Sequence, residues 1–333
     1  MSGFAASVLP CGSIRPIGQD DGAGFADLRF ACMGCDMRVL VEDGPDPHGD
    51  ARNARSQLRL IDARLSRFRP GSELARLNAD PRATVPASAL LRVAVRAALW
   101  AAEASEGLVD PTLLGSLERA GYRHSLSGIT RAGLAEALAA APSRAPARAR
   151  EEKRWRSIHV DDEAGTITRP PGLRIDTGGS TKGLAADAAA HPLTARRHVV
   201  DCGGDLRLDA GGGGPYGVIV EHPLTREPAC TLPVRSGAVA TSGPGRRLWR
   251  GADGRVAHHL LDPSTGEPAW TGLVSATATA PTALEAETLA KVALLSGPDR
   301  ARELLAGRGG VLIHDNGDVE RLIPLPRLEV TPR

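Results

Sequence analysis

Hydrophobic and polar positions alternate with two different periods in the first part of the chain. Residues 27–43 alternate in steps of two, which is typical of a strand, and the turn-rich stretch DGPDPHGD follows them. Residues 51–68 instead place Leu58, Ile61 and Leu65 at helical spacing. The pattern therefore predicts a strand region followed by an amphipathic helix.

The next segments continue as helices up to a charged, proline-rich stretch. Ser72 stands where a helix N-cap is expected, and residues 87–105 have a second helical pattern that ends near Gly107. Residues 142–153 are rich in charge, proline and alanine. This composition indicates an exposed insertion or linker.

The second half of the chain consists mainly of short strand-like runs separated by glycine and proline. The stretch WRSIHVDDEAGTITRPPGLRID predicts a hairpin, and further strands are predicted at 198–201, 206–208, 217–221 and 229–234. A long helix is predicted from Ala283 to Leu295, with an apolar side formed by Leu284, Leu289, Val292 and Leu295. Because many connections are of hairpin length, we predict an α+β fold with antiparallel sheets and packed helices rather than a doubly wound parallel sheet.

Length and composition limit the classes of protein to consider. The chain has 333 residues, a net charge of +2 and 3% aromatic residues, which argues against a general nucleic-acid or membrane-surface binder. We predict an N-terminal extension over 1–24 and one domain of two intimately associated halves over 25–330. The N-terminus lacks a signal-peptide pattern and no segment is apolar over the length of a membrane span, so a cytoplasmic location is expected.

The five cysteines do not form a disulfide framework in a chain of this length. Cys32 and Cys35 make a lone C-x-x-C, without the second pair that a structural zinc site needs. A redox role and chance placement at a strand start are the two interpretations that remain.

The stretch RIDTGGSTKGLAADAAA has the chemistry of an anion-binding loop. Glycines 178 and 179 let backbone N–H groups approach a ligand, the helix beginning near Gly183 directs its positive end there, and Lys182 adds a full charge. A phosphate is the indicated ligand. The spacing matches neither a P-loop, since Gly183 follows Lys182, nor G-x-G-x-x-G. A glycine turn that caps an ordinary surface helix is the alternative.

Four other stretches combine glycines, hydroxyls and charged residues in the same way, and each alone is common turn chemistry. They are LVDPTLLG (108–115), VVDCGGDLRL (199–208), AVATSGPGRR (238–247) and HHLLDPSTGEP (258–268). The chain also contains MGC (33–35), LSRFRPGSELARLN, DTGGSTKG and TAPTALEAETLAKVALLSG. The order of all these stretches along the chain resembles the order of motifs in the ApbE family, the FAD:protein FMN transferases. The resemblance runs from Met33 to about Gly297.

This resemblance implies a single α+β catalytic unit that binds FAD as its substrate. It implies cleavage of the FAD pyrophosphate and transfer of the FMN half to a Thr or Ser hydroxyl of an acceptor flavoprotein, with release of AMP. A divalent cation, usually magnesium, assists in the family. For this chain, the implied partner is an acceptor protein with an FMN-binding domain; no nucleic acid and no membrane insertion are expected, and the chain is expected to be a monomer or homodimer.

The site residues are those at positions that match the family's motifs. The implied cofactor-binding residues are Met33, Phe68, Val109, Asp110, Pro111, Asp176, Gly178, Lys182, Leu260 and Lys291. The implied catalytic residues are His259, which takes the hydroxyl proton, and Lys182. His258 is expected to be a solvent-facing neighbour. Plain core positions are the alternative for Met33 and Phe68.

The metal site is where the chain departs from the family. The positions that match the family's ligands are the Gly179 carbonyl, Glu287 and Lys291. Glu287 can replace an aspartate as a magnesium ligand, but an ammonium cannot ligate a cation. Lys291 therefore leaves three interpretations open: it neutralises the pyrophosphate itself, it marks a flavin-binding module that has lost transfer activity, or it is an ordinary surface partner of Glu287.

Three function classes follow in a definite order. A transferase ranks first, because His259 and Lys182 are both retained. A hydrolase that converts FAD to FMN and AMP ranks second, and a flavin-binding module without transfer activity ranks third.

Overall fold

The computed structural model describes the backbone of residues 14–16 and residues 24–124, 132–193, 196–251 and 254–323. The predicted N-terminal extension, including Cys11, therefore lies almost entirely outside the described residues.

The described residues form runs of strands separated by runs of α-helices, and the longest run of strands lies between residues 197 and 280. Its strands are β1 (Ile14–Pro16), β2 (Phe25–Cys32), β3 (Cys35–Glu42), β4 (Thr84–Pro86), β5 (His159–Asp161), β6 (Thr166–Thr168), β7 (Arg197–Cys202), β8 (Asp205–Asp209), β9 (Tyr216–Glu221), β10 (Pro228–Val234), β11 (Ser236–Ser242), β12 (Leu248–Arg250), β13 (Val256–His258), β14 (Leu273–Ala280), β15 (Gly310–His314) and β16 (Val319–Leu322). Its helices are α1 (Pro47–Leu65), α2 (Glu73–Ala79), α3 (Ala89–Ala104), α4 (Leu114–Arg119), α5 (Leu134–Ala140), α6 (Thr181–Ala190), α7 (Ala283–Ser296) and α8 (Pro298–Ala306).

One antiparallel sheet of eight strands forms the centre of the molecule, in the order β16-β15-β14-β11-β8-β7-β3-β2. Its side chains alternate between two buried faces, as a period of two requires. Val39, Val41 and Val200 pack on one face with α1, α6 and α7. Leu40, Val199 and Val239 pack on the other face, against β9 of the small sheet β1-β9-β10. The α+β prediction with antiparallel sheets is confirmed.

Several predicted elements are present with shifted ends. The first helix begins at Pro47, because Asp46 caps it through the Gly49 N–H at 2.7 Å and proline suits the first helical turn. Ser72 caps α2 through the Ala75 N–H at 3.0 Å, as predicted. The predicted hairpin is the antiparallel pair β5–β6.

The predicted apolar side of α7 was only partly correct: Leu295 is buried and Leu289 packs against the core, whereas Leu284 and Val292 are outside the core clusters. Leu284, Leu289 and Val292 are only half-buried, and the fully enclosed positions include Ala286, Ala290 and Ala293. Small alanine side chains at these positions allow the helix to lie close to the sheet. The buried side also includes Glu287 and Lys291.

Residues 142–150 form a strap of irregular chain that is mostly exposed and yet docked on the domain. The Ala145 N–H donates to the Trp270 carbonyl at 3.0 Å, and the Ala147 N–H donates to the Leu295 carbonyl at 2.8 Å. Arg150 Nε donates to the Pro263 carbonyl at 2.7 Å. The strap therefore connects the segment 263–270 with the end of α7.

Candidate active site

A cavity of about 1420 Å³ opens where the glycine loop meets α7 and the turn between β2 and β3. Every residue that the sequence assigned to binding, catalysis or metal lines this one cavity: Met33, Phe68, Val109, Asp110, Pro111, Asp176, Gly178, Gly179, Lys182, His259, Leu260, Glu287 and Lys291. The cavity exceeds the roughly 300–1000 Å³ of ordinary small-molecule sites, which gives room for a dinucleotide.

Met33 reaches the cavity from the two-residue turn between β2 and β3. Met33 and Gly34 have φ angles of 51° and 71°, both in the left-handed region that hairpin turns of this length require. A methionine is an unusual residue for such a position. Met33 is half-buried at the cavity wall rather than sealed in the core.

Cys32 and Cys35 flank this turn as directly opposite partners, and both are free thiols. Burial raises the pKa of Cys32 to about 11 and also raises the pKa of Cys35. Both thiols are therefore protonated at neutral pH, which makes them poor nucleophiles. This favours a packing role for the pair.

The segment 109–111 is held against the start of the glycine loop. The Asp110 carboxylate accepts hydrogen bonds from the Thr112 N–H and hydroxyl, both at 2.7 Å. The Asp176 N–H in turn donates to the Pro111 carbonyl at 2.8 Å. These contacts fix the Asp110 and Asp176 carboxylates and the apolar ring of Pro111 next to one another in the cavity wall.

The glycine loop is organised by its own side chains. Asp176 accepts the Gly178 N–H at 3.0 Å, and the Thr177 carbonyl accepts the N–H groups of Ser180 and Thr181 at 3.0 and 2.9 Å. The Gly178 N–H is therefore engaged within the loop. Gly179 lines the cavity next to Val109.

Gly183 is the glycine that close packing requires. A Cβ placed there would lie 2.5 Å from the Ala283 carbonyl oxygen, so only glycine permits this contact between α6 and α7. Its N–H donates to Glu287 Oε2 at 2.8 Å. Asp187, one turn further along α6, accepts the N–H groups of Ala283 and Leu284 at 2.8 and 2.9 Å. The start of α7 is thereby joined to α6 at both Gly183 and Asp187.

Two ammonium groups and two carboxylates form a buried network on these helices. Lys182 pairs with Asp205 of β8, and its Nζ lies 3.8 Å from Glu287 Oε1. Lys291 Nζ donates to the same Oε1 at 2.8 Å. Burial alone would lower the pKa of Lys182, but Asp205 and Glu287 outweigh that effect and raise it. Burial raises the pKa of Glu287, and Lys291 opposes that shift.

His259 presents its ring to the cavity directly after β13. Its Nδ1 is buried and has no hydrogen-bond partner among the described residues. Burial, followed by the positive charges of Arg247 and nearby groups, lowers the pKa of His259 well below its ordinary value. The imidazole is therefore neutral at neutral pH.

The expected exposure of His258 was wrong. This residue is fully buried, its ring meets Trp270 edge-on at 4.7 Å, and its Nδ1 accepts the Leu260 N–H at 3.3 Å. Burial lowers the pKa of His258 to about 3. His258 does not line the cavity, so the two adjacent histidines have separate environments because a strand directs neighbours to opposite sides.

An aromatic cluster that the sequence analysis missed contributes Phe68 and Tyr122 to the cavity lining. Tyr122 stacks on Trp249 at 5.0 Å and meets Phe68 edge-on at 5.3 Å. The Arg67 guanidinium lies 4.1 and 4.5 Å from the ring centres of Phe68 and Tyr122 and pairs with Asp176 at 3.6 Å. Its buried Nη2 has no hydrogen-bond partner among the described residues. In the sequence, Arg67 stands next to Phe68, a predicted FAD contact, and this pair was the available indication of the cluster.

The residues at the implied metal position do not fit a divalent cation. Glu287 Oε1 accepts the Lys291 ammonium and Oε2 accepts the Gly183 N–H, so both carboxylate oxygens are engaged. The described residues contain no group of three acidic, histidine or cysteine side chains arranged to hold a metal. Magnesium prefers six oxygen ligands, whereas this position presents an ammonium.

Comparisons with known proteins agree with this geometry. The family model described as "ApbE family" matches residues 33–313. The "FAD:protein FMN transferase" of Klebsiella pneumoniae (strain 342) is 29% identical over 291 residues, covering 83% of this chain and 80% of that protein. The protein of the same name from Treponema pallidum (strain Nichols) is 30% identical over 304 residues, with the same coverage. The crystal structure of the ApbE protein from Thermotoga maritima MSB8 superposes with a TM-score of 0.74 at 26% identity, covering 89% of this chain and 96% of that one.

The fold and the cavity define a mixed α+β protein with a site large enough for a dinucleotide. The chain belongs to the ApbE family.

Proposed function

We propose that this protein transfers the FMN half of FAD to a Thr or Ser hydroxyl of an acceptor flavoprotein and releases AMP. The supporting observation is that one cavity of about 1420 Å³ brings together His259, Lys182 and all the cofactor-binding residues that the sequence predicts. The relatives that bear the name FAD:protein FMN transferase cover most of the chain, which supports the same activity here.

FAD has an apolar ring system at each end and a charged pyrophosphate between them, and the cavity offers matching chemistry. Phe68 and Tyr122 provide aromatic surface, on which planar rings pack favourably. Lys182 stands in the first turn of α6, where the helix dipole adds to the attraction of its ammonium for an anion. These groups hold the substrate with its pyrophosphate near His259.

The reaction needs one proton acceptor and a positive environment for the leaving group. Neutral His259 removes the proton from the acceptor hydroxyl while the oxygen of that hydroxyl attacks the FMN-side phosphorus. The phosphorus–oxygen bond to AMP breaks, and the ammonium groups offset the charge that develops there. The proton on His259 then leaves to the AMP phosphate or to solvent, which restores the neutral ring.

The decisive experiment combines the protein with FAD and a purified flavoprotein domain that carries the acceptor Thr. Intact-mass analysis should show the gain of one FMN, and AMP should appear in equal amount. A Thr→Val acceptor is the matched control and should gain nothing. Release of FMN and AMP without modified acceptor would instead identify a hydrolase, and FAD binding without AMP would identify a binding module.

The cellular setting also belongs to this proposal. No helix among the described residues is both long and apolar enough to cross a membrane. A cytoplasmic protein that acts as a monomer or homodimer on a flavoprotein partner, and not on nucleic acid, is the setting that we propose. Fractionation of cells and light scattering of the purified protein test these two points.

A further inference from the structure

Lysine is rare in this chain and is concentrated at the candidate active site. The chain contains only three lysines, Lys153, Lys182 and Lys291, among 41 basic residues. Two of them lie in the same cavity with their Nζ atoms within 4 Å of one carboxylate oxygen. A lysine ammonium is a compact point charge, whereas the arginine used elsewhere is a wide planar fork.

The environment of Glu287 shows what that carboxylate does. It is fully buried, and its two oxygens accept the Gly183 N–H at 2.8 Å and the Lys291 ammonium at 2.8 Å. Lys182 Nζ lies 3.8 Å from the oxygen that Lys291 contacts. Glu287 therefore positions an ammonium group, and the Lys291 ammonium occupies the oxygen at which a divalent cation would have to bind.

Lys291 is held on a rigid element. Helix α7 is capped by Thr282, is bonded at its first turn to Asp187, and lies in close contact with Gly183. The Lys291 side chain is 11% exposed and still lines the cavity. An ammonium fixed in this way offers donors to a phosphate without rearrangement, as electrostatic preorganisation requires.

From this arrangement the structure assigns to Lys291 the place of the family's divalent cation: its ammonium, next to Lys182, neutralises the pyrophosphate and makes transfer independent of magnesium. This inference rests on the proposed function. The chemistry balances without a metal. The acceptor proton goes to His259, the new phosphorus–oxygen bond replaces the bond to AMP, and both ammonium groups keep their protons while they donate hydrogen bonds.

The test measures AMP release and acceptor modification across a magnesium series that starts in excess EDTA. Wild-type protein should give the same rate at every magnesium concentration. Lys291→Met keeps the length of the side chain without its charge, so its rate should fall about 100-fold, as for the loss of one fixed donor, with no rescue by magnesium. Lys291→Thr should be equally slow in EDTA and recover when magnesium is added. Lys153→Met, outside the cavity, is the matched control and should behave as wild type.

Binding provides a second measurement that does not depend on turnover. In EDTA, Lys291→Met should weaken FAD affinity about tenfold and leave the affinity for riboflavin, which lacks phosphate, unchanged. A wild-type enzyme that transfers FMN only with magnesium, or a Lys291→Met variant with wild-type rate and FAD affinity, would overturn the inference while the proposed function stands. Absence of acceptor modification at every magnesium concentration would instead refute the proposed function.

Discussion

A single methyl group added at Gly183 should separate the two helices that carry the charged network. In Gly183→Ala the new Cβ would lie 2.5 Å from the Ala283 carbonyl oxygen and 2.8 Å from the Leu284 Cα. Both are backbone atoms, so neither can rotate away, and α7 must move by most of an ångström. Overpacking of this kind costs about 1–3 kcal/mol, against a gain of about 1 kcal/mol from the better helix propensity of alanine. Because the gain offsets the lower end of this range, we expect a net loss of up to about 2 kcal/mol.

The displacement should also reach the site, since α7 carries the Glu287 carboxylate that accepts the Gly183 N–H. Urea unfolding measures the stability, and an FAD titration measures the effect on binding, which should weaken. Gly115→Ala is the matched control: this glycine also lies in a helix, and its added Cβ would meet only side-chain atoms at 3.5 Å or more. Its stability should stay the same or rise. Equal unfolding midpoints and equal FAD affinities for the two variants would refute the reasoning.

Three further outcomes follow from the same geometry. His259→Ala should slow transfer roughly 10²- to 10⁴-fold with FAD affinity retained, measured by AMP release and titration, and an unchanged rate would remove His259 from the chemistry. The free energy of unfolding should fall as the pH drops from about 6.5 towards 3, because His258 takes up a proton in the unfolded chain and the buried ring resists it. In a His258→Gln variant the urea midpoint should therefore depend less steeply on pH, and equal pH dependence of the two proteins would contradict this. Asp187→Asn leaves one of the two N–H groups at the start of α7 with a poorer acceptor, so urea unfolding should show a loss of about 1 kcal/mol, and an unchanged midpoint would count against the cap.

Local patterns were sufficient to predict much of the architecture. The helical spacing of Leu58, Ile61 and Leu65 identified α1, and all three residues are buried in the core. Ser72 identified the start of α2 for a reason that is local to four residues. These predictions succeeded because the pattern and the cap are both contained in a short stretch of chain.

Such local patterns could not predict contacts between segments that are distant in the sequence. The burial of His258 depends on Trp270, and the pairing of Lys182 with Asp205 depends on how β8 lies beside α6. The buried side of α7 was assigned to its larger residues, whereas close approach to the sheet required its alanines. In each case the deciding neighbour is supplied by the tertiary fold, so periodicity alone could not identify it.

The site residues were found through ordered motifs, and their roles remain predictions. Motif order identified the residues that line the cavity, since most of the motifs lie at an end of a strand or helix and the last one spans α7. It did not reveal Tyr122 or Trp249, which stand outside the motifs and reach the cavity region through ring stacking. The charge network at Glu287 likewise depends on a backbone N–H of another helix, which no side-chain pattern reports.

The strap over residues 142–150 has a consequence for engineering the protein. It resembles the exposed, proline-rich loops at which new chain ends or tags are usually introduced. Here, however, it acts as a brace: its backbone is bonded to Trp270 on one side and to Leu295 at the end of α7 on the other. A protease cut, an inserted reporter or a circular permutation at this loop would uncouple the segment that follows His259 from the helix that carries Lys291. The accessible surface of this loop is therefore a poor guide to its tolerance for change.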